Sequence, residues 1–106
     1  MKKLILHLVF VMFSCGHSTP NESDAKEAAR AALLQRVKNP MDVTFFQNDK
    51  VQAIGDNTFE YTETISATNS FGGTITQNAN VKVKWLKDDS SEVTNWTIID
   101  FQLNDR

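Results

Sequence analysis

Two runs of alternating apolar and polar residues, at positions 58–67 and 74–86, dominate the pattern of the sequence. In each run most of the alternate side chains are apolar, and the positions between them carry Thr, Ser, Asn, Lys or Glu. A period of two sustained in this way is typical of β-strands with one buried and one solvent-exposed face. The segment between the runs, residues 69–73, reads Asn-Ser-Phe-Gly-Gly and suits a turn. The pattern therefore predicts an antiparallel hairpin.

Ahead of the hairpin, residues 23–38 have the spacing of an amphipathic helix. The positions on its apolar face are mostly alanine: Ala25, Ala28, Ala29, Ala32, Leu33 and Val37. Asn21 or Ser23 can cap the start of the helix, and Pro40 ends it because proline disfavours helical geometry at the residue before it. An alanine-rich face lets a helix lie close to a sheet or to a partner helix. We expect it to cover the apolar face of the hairpin, which has no other cover in so small a domain.

Three further segments are predicted to complete the sheet. Residues 41–47 lead into a first strand, and residues 51–54 either continue that strand or pair separately. Residues 93–103 form the last strand. Its apolar side chains change phase between Ile98 and Ile99, which indicates either a β-bulge or a strand covered on both faces.

One helix followed by a run of strands predicts an α+β domain rather than alternating βαβ units. We expect an antiparallel sheet of four strands, or five if residues 51–54 pair separately, with the helix on one face in a cystatin-like arrangement. The predicted core contains Leu33, Ile65, Val81, Val83, Trp85 and Phe101.

The beginning of the chain has the features of an export signal. Lys2 and Lys3 precede an apolar run at residues 4–13 that is too short to span a bilayer. The tetrapeptide at 12–15, Met-Phe-Ser-Cys, resembles the lipobox of bacterial lipoproteins, in which the cysteine becomes lipidated and the signal peptide is removed just before it. The resemblance implies a signal peptide at 1–14, a lipidated Cys15 with a tether at 15–22, and one domain at 23–106.

Cys15 is the only cysteine of the chain, so no internal disulfide can form. The alternatives to lipidation are a buried structural cysteine and an ordinary secretory signal. Gly16 follows the cysteine where an aspartate would signal retention in the inner membrane. The lipobox resemblance therefore implies that lipid on Cys15 anchors the protein in the bacterial envelope, at the outer membrane.

Charge and composition narrow the classes of function. The chain carries 11 basic and 13 acidic side chains, and two of the basic ones lie in the predicted signal peptide, which argues against nucleic acid as a partner. Residues 23–106 contain no histidine or cysteine, which removes the commonest general base, nucleophile pair and zinc ligands. We therefore expect a protein that is not an enzyme and has no cofactor. The acidic segment 88–92 lacks the frame of a known calcium loop and is predicted to be a solvated turn.

Glu63 is the one acidic residue that falls on the apolar face of the hairpin, beside Phe59 and Ile65. One alternative is a buried carboxylate, and the other is a carboxylate at the sheet edge or within reach of Lys84 or Arg36.

Candidate contact residues lie on the hairpin. Phe71 is a large ring among turn residues, and two interpretations are open. It folds back over the end of the sheet to cap Trp85 or Phe59, or it is an exposed anchor for a protein, peptide or glycan partner. The polar face of the hairpin can also bind a protein or glycan; its residues are Thr62, Thr64, Asn78, Asn80, Lys82 and Lys84. The candidate binding residues are Asn69, Phe71, Lys82 and Lys84.

Two short motifs carry a further resemblance. Val-Lys-Asn-Pro at 37–40, followed by Phe45, and Ala-Thr-Asn-Ser-Phe-Gly-Gly at 67–73 resemble a group of small exported bacterial proteins and lipoproteins. In that group a helix ending in Lys-(Asn/Asp)-Pro precedes a strand, an Asn-Ser-Phe-Gly hairpin and a last strand containing Trp. The group has no assigned activity, so the resemblance implies a fold and a compartment only. The expected function is a binding or inhibitory module, and the alternative is a structural or assembly component of the envelope.

Overall fold

A computed structural model describes residues 20–105, in which one helix packs on a five-stranded antiparallel sheet. The elements are α1 (Glu22–Arg36), β1 (Thr44–Phe45), β2 (Lys50–Gly55), β3 (Thr58–Thr68), β4 (Thr74–Trp85) and β5 (Trp96–Asp105). Short 3₁₀ turns occupy Pro40–Asp42 and Val93–Asn95. The α+β prediction is confirmed, and residues 51–54 pair separately. The predicted signal peptide and Cys15 lie outside the described residues.

The hairpin of β3 and β4 forms the centre of the sheet. Its strands pair without interruption from Thr58 opposite Lys84 to Thr68 opposite Thr74. β1 and β2 share the other edge of β3, one after the other, and β5 pairs with the free edge of β4. The spatial order is therefore β1 and β2, then β3, β4 and β5.

The ends of α1 have local causes. The side-chain oxygen of Asn21 accepts a hydrogen bond from the N–H of Asp24 at 2.8 Å, which satisfies one of the free donors of the first turn. The helix ends at Arg36, two residues before the predicted end, because Val37 adopts an extended backbone with φ −84° and ψ 158°. Pro40 then starts a 3₁₀ turn instead of a strand, so the predicted strand at 41–47 contracts to Thr44–Phe45.

The core lies between the alanine face of α1 and the inner face of the hairpin. Four of the six predicted core residues are fully buried: Leu33, Ile65, Val81 and Val83. Trp85 and Phe101 are half-buried at the margin of the core. Ala25 and Ala29 are completely buried, so the short side chains let the helix backbone approach the sheet.

The change of phase in β5 is a β-bulge. Ile98 pairs with Val83 and Asp100 pairs with Lys82, which leaves Ile99 without a partner in β4. Residues on both sides of the bulge can therefore face α1, and Ile99 is 52% exposed. Of the two sequence-based alternatives, the bulge is confirmed.

Candidate functional site

Residues 69–73 form the tip of the β3–β4 hairpin, and Asn69 organises it. The side-chain oxygen of Asn69 accepts hydrogen bonds from the N–H groups of Phe71 and Gly73, both at 2.9 Å. Its backbone N–H donates to the carbonyl of Gly73 at 2.7 Å, and its carbonyl accepts from Gly72 at 3.1 Å. Gly72 has φ +83°, a conformation that favours glycine. The loop is thus fixed by its own hydrogen bonds.

Phe71 is 94% exposed. The prediction that it caps Trp85 or Phe59 is wrong because those residues lie at the opposite end of the hairpin. Phe59 pairs with Val83, and nine residues of strand separate it from Thr68, next to the tip. At about 3.3 Å per residue, this distance is about 30 Å, well beyond the reach of a side chain. Phe71 is therefore an exposed ring, as the second of the two interpretations predicts.

A second apolar side chain is exposed at the same end of the molecule. Met41 is 94% exposed in the 3₁₀ turn that precedes β1. Because Thr44 pairs with Ser66 in an antiparallel register, the chain before Thr44 runs toward the hairpin tip. Lys38, just after α1, donates a hydrogen bond to the hydroxyl of Ser70 at 3.3 Å. We refer to Lys38, Met41 and residues 69–73 as the tip surface.

A shallow groove of about 230 Å³ adjoins the tip surface, between the end of α1 and the sheet. Its apolar lining consists of Val37, Ala67, Ile75 and Leu103. The exposed ring of Phe71 and this groove together give the end of the domain that carries the tip surface an apolar character.

The structure separates Lys82 and Lys84 from Asn69 and Phe71. Both lysines lie in β4 near the base of the hairpin, and eight residues, or about 27 Å of strand, separate Lys82 from Thr74 at the tip. Lys82 stands opposite Glu60 on one side and Asp100 on the other, so its charge is locally balanced. The four candidate residues therefore do not form one site.

The polar face of the sheet is partly occupied by its own hydrogen bonds. Asn48 lies in the gap between β1 and β2, where its side chain exchanges two hydrogen bonds of 3.0 Å with Thr64. Thr64 is only 5% exposed as a result. Asn80 donates to the carboxylate of Glu60 at 3.0 Å.

The inner face of β3 contains a buried ionic network. Glu63 is 3% exposed and receives two short contacts from Arg30 of α1, in which Nη2 lies 2.8 Å from Oε1 and 2.9 Å from Oε2. The hydroxyl of Tyr61 donates to Oε1, and the backbone N–H of Gln47 donates to Oε2 at 2.8 Å. Glu63 is therefore the buried carboxylate of the first alternative. The second alternative, with Lys84 or Arg36 as its partner, is wrong.

Around the guanidinium of Arg30, further groups extend the network toward solvent. The guanidinium carbon lies 4.3 Å from the centre of the Phe45 ring, a cation–π contact. Asp49 lies 3.8 Å from Arg30 and 3.1 Å from Lys26. Gln47, whose N–H reaches Glu63, has φ +64°, which is unusual for a residue other than glycine.

The network shifts the pKa of three of its members. Burial, followed by the hydrogen bond to Glu63, raises the pKa of Tyr61 well above its ordinary value, although Arg30 acts in the opposite direction. Burial also acts to lower the pKa of Arg30, but its hydrogen bonds to Glu63 and Tyr61 outweigh burial and raise it. Burial acts to raise the pKa of Asp49, and the hydrogen bond from Lys26 reverses that effect and lowers it. Tyr61 and Arg30 therefore keep their protons at neutral pH.

The acidic segment 88–92 forms a turn that joins β4 to β5. One carboxylate oxygen of Asp89 accepts from the N–H and from the hydroxyl of Ser91, at 2.9 and 2.8 Å. Ser90 connects this turn to the start of α1 through a 2.6 Å hydrogen bond to Asp24, and its carbonyl accepts from the indole of Trp96 at 2.7 Å. Within residues 20–105, no group of three or more His, Cys, Asp or Glu side chains is arranged to hold a metal ion.

Comparisons with known proteins give no match: no family model, no curated protein and no solved structure is similar to the chain. The structure alone defines its class, an α+β domain with one helix on a five-stranded antiparallel sheet. The cystatin-like arrangement and the resemblance to small exported lipoproteins stay predictions. In the described part of the chain, no helix is long and apolar enough to cross a membrane.

Proposed function

We propose that this protein is an envelope lipoprotein whose domain is a non-catalytic binding module, and that its tip surface contacts a protein partner. The observation that carries the proposal is Phe71, a ring that is 94% exposed on a loop fixed by Asn69. Aromatic residues held in this way are typical anchors of protein interfaces. Because the loop is already ordered, binding through it would cost little conformational entropy.

A protein partner fits the tip surface better than a glycan. Two apolar side chains there, Phe71 and Met41, are each 94% exposed, and both are enriched residue types at protein interfaces. The adjoining groove of about 230 Å³ offers a complementary recess for an apolar side chain of the partner. Arg36 and Lys38 border this groove, so acidic groups on the partner would be favoured at its rim.

The position of the tether supports a domain orientation in which the tip surface points away from the membrane. Asp24, in the first turn of α1, is hydrogen-bonded to Ser90 at the base of the hairpin, whereas Lys38, beyond its last turn, is hydrogen-bonded to Ser70 at the tip. The segment between Cys15 and Glu22 therefore joins the domain at the end opposite Phe71. Seven residues reach about 25 Å at most, so lipid on Cys15 would hold the base near the membrane and direct the tip away from it.

Charge at the base favours the same arrangement. The base is the end of the domain opposite the tip surface, formed by the start of α1, the β2–β3 turn and the segment that joins β4 to β5. It carries two basic side chains, Lys84 and Lys87, and six acidic ones: Glu22, Asp24, Asp56, Asp88, Asp89 and Glu92. This excess of negative charge is repelled by anionic lipid headgroups, so the base is not expected to bind the membrane surface by charge. The lipid on Cys15 would then be the attachment, and the domain would stand free of the headgroups.

A photoreactive amino acid at position 71 tests the partner. The same group at position 86 is the matched control, because Leu86 is also an exposed apolar residue, at 54%, but lies at the base. We expect irradiation of cells to give a discrete protein adduct from position 71 and none from position 86. Adducts of equal yield at both positions, or no adduct at position 71, would contradict the proposal and favour a structural component of the envelope.

The anchor is tested separately by Cys15→Ala and by an inhibitor of lipoprotein signal peptidase. The substitution is expected to release the protein from the membrane fraction, and the inhibitor is expected to cause the unprocessed precursor to accumulate. A mature protein with a free Cys15 thiol would contradict the lipoprotein assignment but would leave the binding role of the tip surface open to the cross-linking test.

A further inference from the structure

The second edge of β5 is the most open edge of the sheet. Among residues 20–105, no strand pairs with it, so its outward N–H and C=O groups are available to another strand. The opposite edge is protected in the usual ways. β1 is only two residues long, and β2 begins with Lys50 and has a shift of register between Ala53 and Gly55.

The part of β5 after the bulge has none of these protective features. Residues 100–104, Asp-Phe-Gln-Leu-Asn, contain no lysine or proline and pair regularly with β4. The helix covers this part of the sheet only incompletely. The guanidinium of Arg36 lies 4.9 Å from the centre of the Phe101 ring, but Phe101 and Leu103 are only half-buried.

We propose that the protein forms a two-fold symmetric dimer in which β5 pairs antiparallel with β5 of a second copy, centred on Gln102. A two-fold axis perpendicular to the sheet requires facing residues to lie on the same side of the sheet. With the axis at Gln102, the residue numbers of each facing pair sum to 204. This register sets Asp100 opposite Asn104 of the second copy, Phe101 opposite Leu103, and Gln102 opposite its own equivalent.

The register is self-complementary. The half-buried apolar residues Phe101 and Leu103 meet on the helix side of the sheet. The polar residues that meet on the other side are amides with amides or a carboxylate with an amide. Shifting the axis by two residues toward the bulge would place Asp100 opposite itself, which is unfavourable because like charges directly opposite repel. Shifting it by two residues the other way would place the apolar Leu103 opposite Asp105. The axis at Gln102 also uses only the regular segment after the bulge.

The result would be a continuous ten-stranded antiparallel sheet with both helices on one face. β-strand addition of this type derives its affinity from main-chain hydrogen bonds and its specificity from alternate side chains. The tip surface and the predicted tether lie on other parts of each protomer, although Leu103 also lines the groove beside the tip surface. Formation of the dimer does not require the proposed partner.

Disulfide trapping in the full-length chain tests the register. With Cys15→Ser as background, Gln102→Cys places two thiols across the axis, and Gln52→Cys is the matched control because Gln52 is an exposed glutamine on the opposite edge strand, β2. We expect mild oxidation to convert Gln102→Cys largely to a covalent dimer and to leave Gln52→Cys monomeric. Equal yields from the two variants, or no dimer from Gln102→Cys, would overturn the proposal.

Charge substitution at Asn104 provides a second, non-covalent test. Asn104→Asp places a carboxylate opposite Asp100 of the second copy at two symmetric positions, and Asn104→Lys places an ammonium there. Analytical ultracentrifugation of the full-length chain is expected to show that the first weakens and the second strengthens dimerisation, each by about tenfold, since each pair contributes up to about 1 kcal/mol. Shifts in the same direction, or a monomeric protein throughout, would exclude the Gln102-centred interface.

Discussion

Arg30 and Glu63 form a bidentate ion pair beneath α1, in which Nε of Arg30 donates to Oε1 at 3.1 Å and Nη2 donates to Oε2 at 2.9 Å. The side chain of Glu63 is completely buried, whereas that of Arg30 is 22% exposed. Both carboxylate oxygens have further donors, from Tyr61 and from the backbone of Gln47. The pair connects the middle of α1 to the middle of β3, so it specifies where the helix lies on the sheet.

Replacing Arg30 by methionine is expected to destabilise the domain strongly. The substitution keeps an apolar stem but leaves the Glu63 carboxylate buried without its cation, which typically costs about 3 kcal/mol or more in the free energy of unfolding. The control is Lys26→Met, because the ion pair of Lys26 with Asp49 is partly exposed, at 32% and 19%, and such pairs contribute at most about 1 kcal/mol. Urea unfolding measures both. Similar losses for the two variants would show that the buried pair has no special role.

Ionisation of Tyr61, a member of this network, can be followed by absorbance. Tyr61 is the only tyrosine of the chain, so the rise in absorbance near 295 nm that accompanies tyrosinate formation reports its ionisation. Burial and Glu63 raise its pKa in the folded state, and an unfolded tyrosine ionises near pH 10. The folded protein therefore holds the proton of Tyr61 more tightly than the unfolded chain does. This difference stabilises the fold fully below about pH 10, and the stabilisation is lost as the pH rises from the unfolded pKa toward the folded pKa.

We therefore expect the absorbance of tyrosinate to stay absent above pH 10 until the chain unfolds, and then to rise together with the loss of circular dichroism. In Tyr61→Phe the alkaline loss of stability should be smaller, because no phenol ionises on unfolding. A reversible titration of Tyr61 near pH 10 with the fold intact would mean that the phenol is not held in the network.

The sequence predicted the elements of this fold because their signals are local. The alternation at 58–67 and 74–86, the cap at Asn21 and the break near Pro40 each depend on a few neighbouring residues, and all three are present in the structure. Where two signals overlapped, the boundaries were wrong. Residues 41–47 alternate like a strand, but Pro40 starts a 3₁₀ turn and Gln47 adopts a positive φ, so only Thr44–Phe45 pairs.

The candidate site was less predictable because it depends on distances along and between elements. Periodicity assigned Phe71 and Phe59 to one hairpin but did not state that uninterrupted pairing places them at its opposite ends. It also placed Glu63 on the apolar face without identifying its partner. Arg30 is 33 residues away in sequence, and only the placement of the helix decides between it and Arg36, which lies instead over the ring of Phe101 at 4.9 Å.

The hairpin tip is expected to respond to the two residues that shape it. Asn69→Ala removes the acceptor for the N–H groups of Phe71 and Gly73, and Gly72→Ala forces a side chain into φ +83° although no atom lies within 4 Å of the new methyl group. Each should lower the free energy of unfolding by about 1 kcal/mol. Phe71→Ala is the control, because its exposed ring predicts a change within about 0.5 kcal/mol. A loss from Phe71→Ala as large as that from Asn69→Ala, measured by chemical unfolding, would indicate that the ring packs on the domain.

The two tryptophans face each other across β4 and β5 but differ in their hydrogen bonds. Trp96 donates its indole N–H to the carbonyl of Ser90 at 2.7 Å, and its ring lies 5.8 Å from that of Phe59. The indole N–H of Trp85 is buried and has no hydrogen-bond partner among the described residues. An unsatisfied buried donor costs free energy that a matched apolar replacement recovers.

Substitution by phenylalanine should therefore affect the two positions unequally. Trp96→Phe loses a hydrogen bond that joins β5 to the turn at Ser90, and with it about 1 to 2 kcal/mol of unfolding free energy in addition to the smaller ring. Trp85→Phe loses ring area but removes the unsatisfied donor, so its net cost should be within about 1 kcal/mol. Thermal and urea unfolding of the two variants side by side make the comparison. If Trp85→Phe were the more damaging of the two, the hydrogen bond of Trp96 would not be the interaction that distinguishes these positions, and the prediction would be wrong.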